Sequence, residues 1–88
     1  MDIRRIESGK WDFLPLLLLG DEQEDMIDRY LPRGWMFVLD DGGVKAECVV
    51  TKEADGVYEL KNLAVEPAFQ GRGYGRALIE YVFVRFPD

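Results

Sequence analysis

A glycine-rich segment near the end of the chain constrains the fold most. Val57 to Val65 is predicted to form a β-strand that ends at Glu66-Pro67, and the loop Gln70 to Gly75 opens a helix running to about Arg85. The first backbone N–H groups of a helix have no intrahelical partner, and glycine lets an anion approach them. The loop therefore predicts a phosphate or pyrophosphate cradle, with a tight turn that binds no ligand as the alternative.

Two common phosphate loops do not match this segment. A dinucleotide-binding loop needs a third glycine where this chain has Arg76, and a P-loop needs a Gly-Lys-Ser/Thr sequence that is absent. The preceding strands are also predicted to form antiparallel hairpins and not parallel βαβ units. A nucleotide-binding domain of another class is therefore disfavoured.

Strand and turn patterns place a β-meander before the loop. Asp40-Asp41-Gly42-Gly43 and Ala54-Asp55-Gly56 are hairpin signals. In the strand after the first hairpin, Val44, Ala46, Cys48 and Val50 face one way, and Lys45, Glu47, Val49 and Thr51 face the other. The predicted strands are 3–6, 35–39, 44–51 and 57–65.

Two helices are predicted between the first and second strands. Ser8 is a candidate cap for a segment from Trp11 to Leu19, in which Pro15 is tolerated only in the first turn. Asp21 is the predicted N-cap of a second helix, which ends near Pro32. The pattern as a whole predicts an α+β fold with a mixed, mainly antiparallel β-sheet and flanking helices.

Composition narrows the function classes. The chain has 88 residues, enough for one domain, and a net charge of −6, which is unlike a nucleic-acid binder. Its longest apolar run, residues 13–19, is too short to span a bilayer. It has no histidine, which excludes a Ser-His-Asp triad and the usual zinc sites, and its single cysteine fits a reducing cytoplasm.

The loop and the strand before it resemble the GNAT family of N-acetyltransferases. That family's pyrophosphate loop reads Gln/Arg-x-x-Gly-x-Gly/Ala, which Gln70, Gly73 and Gly75 satisfy, and Leu63-Ala64-Val65-Glu66-Pro67 is similar to its fourth strand and following turn. The order of elements is also similar to the family's first half. The resemblance implies that residues 1–88 are a single partial GNAT domain, the acetyl-CoA-binding half without the C-terminal half.

The resemblance implies a function and a set of site residues. The expected reaction transfers an acetyl group from acetyl-CoA to a primary amine without a metal, with a non-catalytic CoA-binding or partner-binding module as the alternative. Glu59, 11 residues before Gln70, is the implied general base. The backbone of the strand would bind the pantetheine arm and the thioester, and the loop would hold the pyrophosphate. The implied cofactor-binding residues are Leu63, Ala64, Val65, Gln70, Gly71, Arg72, Gly73, Tyr74, Gly75 and Arg76.

Several of these residues also have a purely structural interpretation. Glu59 is more typical of a solvated or salt-bridged strand surface than of a base, Tyr74 is more typical of helix packing than of an acid, and Cys48 is typical of a small core residue. The acids of the second helix either border an acceptor site or form a solvated face. The family's fifth strand and its later tyrosine have no counterpart here, so the strand 57–65 is expected to have an open edge and the chain to associate, most simply as a homodimer.

Overall fold

The fold is a four-stranded antiparallel sheet with helices on both faces. A computed structural model describes residues 1–86. In chain order the elements are β1 (Asp2–Ile6), a 3₁₀ turn (Lys10–Phe13), α1 (Leu14–Gly20), α2 (Glu24–Tyr30), β2 (Trp35–Asp40), β3 (Val44–Ala54), β4 (Val57–Val65), a second 3₁₀ turn (Pro67–Phe69) and α3 (Tyr74–Arg85). The predicted α+β class and the strand-loop-helix unit at residues 57–85 are confirmed.

The strands pair in chain order, β1-β2-β3-β4, and every pairing is antiparallel. Both predicted hairpins are present. At the first, the Gly43 N–H donates to Asp40 Oδ1 over 2.9 Å, and Gly42 and Gly43 adopt positive φ angles of 68° and 122°. Such angles favour glycine, and they explain why the chain reverses there.

A β-bulge interrupts β4 at its middle residue, Lys61. Val49 pairs with Asn62 and Val50 pairs with Leu60, so Lys61 is an extra residue in β4 with no counterpart in β3. A bulge bends its strand and leaves backbone groups outside the regular ladder, and bulges are frequent beside active sites. The bulge divides β4 into an outer part, 57–60, and an inner part, 62–65.

Each face of the sheet has its own core. On one face α1 and α2 pack Leu17, Ile27 and Leu31 against Met36, Val38 and Val49. On the other, α3 packs Leu78 and Val82 against Phe37, Leu39, Cys48 and Val50. The predicted alternation along β3 is correct from Ala46 to Thr51 but wrong at Val44, which packs on the side of α1 and α2 because an irregularity in the β2–β3 register at Lys45 shifts the alternation. Helices cover both faces of β3.

The region between β1 and β2 differs from prediction in detail. Helix α1 has Pro15 in its first turn and ends at Gly20, as expected, but residues 10–13 form a 3₁₀ turn and Ser8 makes no cap. Asp21 is not the N-cap of α2: that position belongs to Gln23, whose N–H donates to Asp21 Oδ1 over 3.1 Å. The carboxylate of Asp21 instead closes a local turn, a competing role that short polar side chains often take.

The outer edge of β4 has no strand partner within residues 1–86. Four large apolar side chains on or near this edge are exposed: Val57 at 50%, Leu60 at 42%, Phe83 at 71% and Val84 at 77%. An open strand edge beside apolar side chains is a template for pairing with another chain. The structure thus has the open edge that the sequence predicted.

Glu47 is the unexpected member of the core. It lies on β3, is 0% exposed, and its two carboxyl oxygens lack a hydrogen-bond partner among the described residues. Burial raises the pKa of Glu47 from 4.5 to about 8, because an unpaired charge is disfavoured away from water. Glu47 therefore carries a proton at neutral pH in the folded protein.

Glu47→Gln should change how stability depends on pH. Between about pH 5 and pH 8 the folded carboxyl keeps its proton while the unfolded one has lost it, so this group's contribution to the free energy of unfolding falls as pH rises. Glutamine does not titrate, so the difference in stability between Glu47→Gln and wild type should grow in favour of the variant by roughly 1.4 kcal/mol per pH unit in that window. Urea unfolding at several pH values measures it.

Glu53→Gln on the same strand is the matched control with the opposite sign. Hydrogen bonds from Thr51 and then Arg33 lower the pKa of Glu53. Its stabilising contribution is present at neutral pH and is lost as pH falls, so Glu53→Gln should be less stable than wild type at neutral pH and equal to it in acid. Parallel pH profiles for Glu47→Gln and wild type would contradict the first expectation.

Candidate active site: a groove between strand β4 and helix α3

A groove of about 380 Å³ lies between the inner part of β4 and the start of α3. Its lining includes every implied cofactor-binding residue except Arg72, with the addition of Leu19 from α1. The lining residues are Leu19, Leu63, Ala64, Val65, Gln70, Gly71, Gly73, Tyr74, Gly75 and Arg76. The fold thus brings the predicted set together in one concave surface, which is the usual form of a small-molecule site.

The glycine-rich loop is shaped by backbone angles that glycine adopts readily. Gly71 and Gly73 have φ angles of 79° and 86°, and a Cβ atom built on either would meet no atom within 4 Å. No packing within the described residues therefore excludes side chains at these positions, and the space above them is open to the groove. Gly75 lies closer to the sheet, with a built Cβ 3.4 Å from Val65 Cγ2.

Helix α3 begins at the groove. The first bond that closes the helix runs from the Ala77 N–H to the Gly73 carbonyl over 3.0 Å. The N–H groups of Tyr74, Gly75 and Arg76 therefore precede the first intrahelical donor, and the positive end of the helix dipole lies there. This arrangement can bind the oxygens of a phosphate or pyrophosphate through the backbone.

Side-chain contacts hold the loop against the strand. Gln70 Nε2 donates to the Val65 carbonyl over 3.3 Å, and the Glu66 N–H donates to the Lys45 carbonyl over 2.8 Å. Gln70 therefore has a structural contact in addition to its place in the groove. The Tyr74 hydroxyl donates to Asp41 of the first hairpin, which raises the pKa of Tyr74. That bond favours a packing role for Tyr74 over a role as an acid.

Arg72 lies outside the groove, beside a second cation. Its guanidinium carbon is 5.1 Å from the centroid of the Phe69 ring, and Lys45 Nζ is 4.1 Å from the same centroid. Within residues 1–86 neither cation forms an ion pair with an acidic side chain. The loop thus carries local positive charge in a chain whose net charge is −6.

Glu59 does not line the groove. It sits in the outer part of β4 opposite Thr51, and its Oε2 is 3.1 Å from Lys61 Nζ. Its side chain is 53% exposed, and Lys61 also approaches Glu53 at 3.8 Å. The structure gives Glu59 the surface ion pair that the sequence left as an alternative, and its role as a general base stays a prediction.

Cys48 behaves as the sequence indicated. It is fully buried, and burial, followed by the nearby Glu47, raises the pKa of its thiol to about 12. A thiol with such a pKa is not a nucleophile near neutral pH. Cys48 is a small core residue.

A buried polar cluster, which was not predicted from the sequence, lies behind the groove. Asn62 Nδ2 donates to the Leu17 carbonyl of α1 and to Tyr30 Oη of α2, each over 3.0 Å. The Tyr30 hydroxyl in turn donates to Asp21 Oδ2 over 3.2 Å. A signal existed: Asn62 is a polar residue that directly precedes the apolar run Leu63-Ala64-Val65. Its partners are distant in sequence and could not be named.

Comparison with known proteins places the chain in a family. Residues 32–86 match the family model described as acetyltransferase (GNAT) domain. The chain belongs to the GNAT family. It is 34% identical over 79 residues to an uncharacterized N-acetyltransferase of Bacillus subtilis, YvbK, a match that covers 85% of this chain and 51% of the relative.

Solved structures of this family have the same fold. An IAA acetyltransferase from Bacillus cereus superposes with a TM-score of 0.86 at 32% identity, covering 96% of this chain and 56% of that one. A GNAT family acetyltransferase from Elizabethkingia anophelis, solved with acetyl-CoA bound, gives a TM-score of 0.89 at 28% identity, covering 96% and 56%. This chain therefore spans about half the length of the relatives it matches.

Two further findings concern membrane-spanning helices and metal sites. None of the helices in residues 1–86 has the length and apolar character needed to cross a membrane. The same part of the chain has no cluster of His, Cys, Asp or Glu side chains suited to a metal ion.

Proposed function

We propose that the groove binds acetyl-CoA and that the protein containing this chain transfers the acetyl group to a primary amine. The observation that carries the proposal is one groove that joins an unpaired strand edge to an unpaired helix N-terminus. CoA combines amide groups, which suit a strand edge, with a pyrophosphate, which suits a helix N-terminus. GNAT membership supports this choice of ligand.

Each part of the groove has a role in this proposal. The N–H groups of residues 71–76 hold the pyrophosphate, and the open backbone of Leu63, Ala64 and Val65 pairs with the pantetheine arm as an added strand. The amine attacks the thioester carbonyl carbon, and a tetrahedral oxyanion forms. A backbone N–H near Leu63 stabilises that oxyanion, next to the bulge at Lys61. The oxyanion then collapses, the C–S bond breaks and the CoA thiolate takes up a proton.

Glu59 is the proposed base that removes the ammonium proton before attack. Its ion pair with Lys61 and its distance from the groove lining mean that it acts through water or after the pair opens. The acceptor amine is proposed to approach along the face of α1 and α2, where Asp21 and the other acids near α2 attract a cation. A cytoplasmic location remains our expectation.

Gly73→Val should abolish CoA binding, because a branched side chain would occupy the space where the phosphates lie. Gly56→Val is a matched control: Gly56 has a φ of 72° and open space within 4 Å of a built Cβ, but it lies in the distant β3–β4 turn. Both variants should lose about 1–2 kcal/mol of stability from backbone strain, and only Gly73→Val should lose affinity in calorimetry with CoA. Equal affinity for CoA in the two variants would contradict the proposed cradle.

Glu59→Gln should lower turnover much more than it lowers acetyl-CoA affinity. Loss of a general base costs about 10²- to 10⁴-fold in rate. The assay follows release of the CoA thiol with a panel of primary amines, at several pH values. Glu53→Gln, which removes the other carboxylate near Lys61, is the control and should keep most of the rate. A rate unchanged across the pH range would leave Glu59 as a surface ion-pair residue.

A non-catalytic CoA-binding module is the second candidate function. The observation that favours it is the position of Glu59 outside the groove, in a surface ion pair with Lys61. CoA binding without thiol release, with every amine tested, would support this candidate.

We also propose that two copies associate through the open edge of β4. Phe83→Lys should yield monomers, because Phe83 is 71% exposed beside that edge. Met26→Lys, which changes an exposed apolar side chain on α2, is the control and should leave association unchanged. Sedimentation over a concentration series distinguishes the two variants, and a wild-type chain that stays monomeric at every concentration would contradict the proposal.

A further inference from the structure

Glu47 occupies a position where a carboxylate has nothing to bind. It sits on the third strand, paired with Val38 on β2 and with Ala64 on β4, and is fully buried. Neither carboxyl oxygen accepts a hydrogen bond within residues 1–86. A charged carboxylate is strongly disfavoured in such surroundings, whereas a neutral acid requires only one acceptor for its proton.

A buried acceptor without a donor lies diagonally across from Glu47. Asn62 pairs with Val49, two residues along β3, so it projects from the same face of the sheet as Glu47. Its Nδ2 already uses both protons, one toward the Leu17 carbonyl and one toward Tyr30 Oη, whereas its Oδ1 lacks a partner. The Leu17 carbonyl can only accept, so the amide cannot be turned around without losing that bond.

We propose that Glu47 is a positioning residue, which as a neutral carboxylic acid donates its proton to Asn62 Oδ1 and so locks the amide that ties α1 and α2 to β4. A neutral Glu47 has one proton to donate, and Asn62 Oδ1 is a buried acceptor that lacks a donor within residues 1–86. Diagonal neighbours on adjacent strands lie within reach of a side chain as long as glutamate. The resulting chain runs from Glu47 through Asn62 and Tyr30 to Asp21.

The surrounding charges keep the proton on Glu47 at neutral pH. Helix α1 has no ionisable side chain. Helix α2 contributes the buried Tyr30, with Asp21 just before the helix, and its other ionisable side chains are exposed: Glu24, Asp25, Asp28 and Arg29. The same sheet face carries Asp40, bonded to Arg4, Lys45 over the Phe69 ring, and the Glu59–Lys61 pair. In the 3₁₀ turn before α1, Asp12 is present and Lys10 donates to two carbonyls. No cation among these pairs with Glu47, so burial dominates and raises its pKa to about 8.

Ionisation would break this hydrogen bond. Above about pH 8, a carboxylate would face the Asn62 carbonyl, two acceptors without a proton between them. The amide would then be favoured to rotate, and its bonds to Leu17 and Tyr30 would be lost. Helix α1 is sensitive to this change, because a Cβ built on Gly20 would lie only 2.0 Å from Asn62 Oδ1.

The proposed hydrogen bond between Glu47 and Asn62, called the lock here, also affects the shape of the groove. Asn62 directly precedes Leu63, and Leu19 of α1 faces the inner part of β4 across the groove. Fixing α1 against Asn62 therefore sets the width of the groove at the end where the thioester would lie. This consequence rests on the proposed function, whereas the hydrogen bond itself does not.

The test uses two Glu47 variants, one expected to keep the hydrogen bond to Asn62 and one expected to lose it, and a control variant. Glu47→Gln keeps an N–H donor for Asn62 Oδ1 and cannot ionise, whereas Glu47→Leu has similar bulk and no donor. Thr51→Val removes another fully buried polar group from the same strand and face and serves as the control. The first readout is carbon NMR of the glutamate carboxyls, in which the Glu47 signal should be that of a neutral acid at pH 7 and should titrate near pH 8.

The second readout is the side-chain amide protons of Asn62. They should be protected from exchange at pH 7 in wild type, Glu47→Gln and Thr51→Val, and unprotected in Glu47→Leu. Above pH 8 the protection should be lost in wild type and kept in Glu47→Gln. A Glu47 carboxyl that titrates in the ordinary acidic range, or wild-type protection in Glu47→Leu, would overturn the proposal. If Glu47→Leu does not fold, the other variants and the Glu47 titration still decide it.

The third readout is the affinity for CoA as a function of pH. Wild type should weaken by about tenfold above pH 8 relative to Glu47→Gln, the loss expected for about one hydrogen bond. Equal pH profiles would show that the lock does not reach the groove. If no variant binds CoA at any pH, the proposed function fails, and the two NMR readouts still decide whether the lock exists.

Discussion

Burial of the β2–β3 hairpin on both faces is the constraint on which the rest of the structure depends. A domain of this size buries a modest fraction of its surface, so one-sided burial of its two central strands would leave little apolar area removed from water. Covering one face with α1 and α2 and the other with α3 creates two cores, centred on Val49 and on Cys48. Only β1 and β4 remain at the edges of the sheet within residues 1–86, and the candidate site lies along β4.

The local parts of this fold could be predicted from the sequence. Glycines at 42, 43, 56, 71 and 73 take positive φ angles that other residues rarely adopt, so the turns and the start of α3 follow from neighbouring residues alone. The alternation along β3 also predicted which of residues 46–51 share a face, but it failed at Val44, where the register of the β2–β3 pair shifts. The start of α2 was misplaced by two residues, because the carboxylate of Asp21 bonds to the backbone in more than one way, and only tertiary packing selects among them.

The buried polar cluster could not be predicted in the same way. Asn62 contacts Leu17 and Tyr30, which are 45 and 32 residues away, so no local pattern connects them. Alternation placed Glu47 on the face opposite Cys48, but the depth of burial depends on what α1 and α2 cover. A strand glutamate is usually solvated, and the sequence offered no reason to expect Glu47 to be more buried than Glu59. In the structure Glu59 is exposed and paired with Lys61, whereas Glu47 is buried and its carboxyl oxygens have no partner within residues 1–86.

The bulge at Lys61 separates two segments of the β4 edge for which we propose different binding roles. On the N-terminal side of the bulge, residues 57–60 run past Phe83 and leave apolar side chains exposed. Such a surface is suited to binding another polypeptide. Before the loop, residues 63–65 border the groove, where hydrogen-bonding backbone meets the positive end of α3. Because a bulge bends the strand, the two segments present their edges in different directions. A ligand at the inner segment and a protein partner at the outer one can therefore bind together, provided that the partner's strand ends at the bulge. Asn62 follows the bulge directly and precedes the groove-lining Leu63, so the residue that ties α1 and α2 to the sheet lies between the two segments.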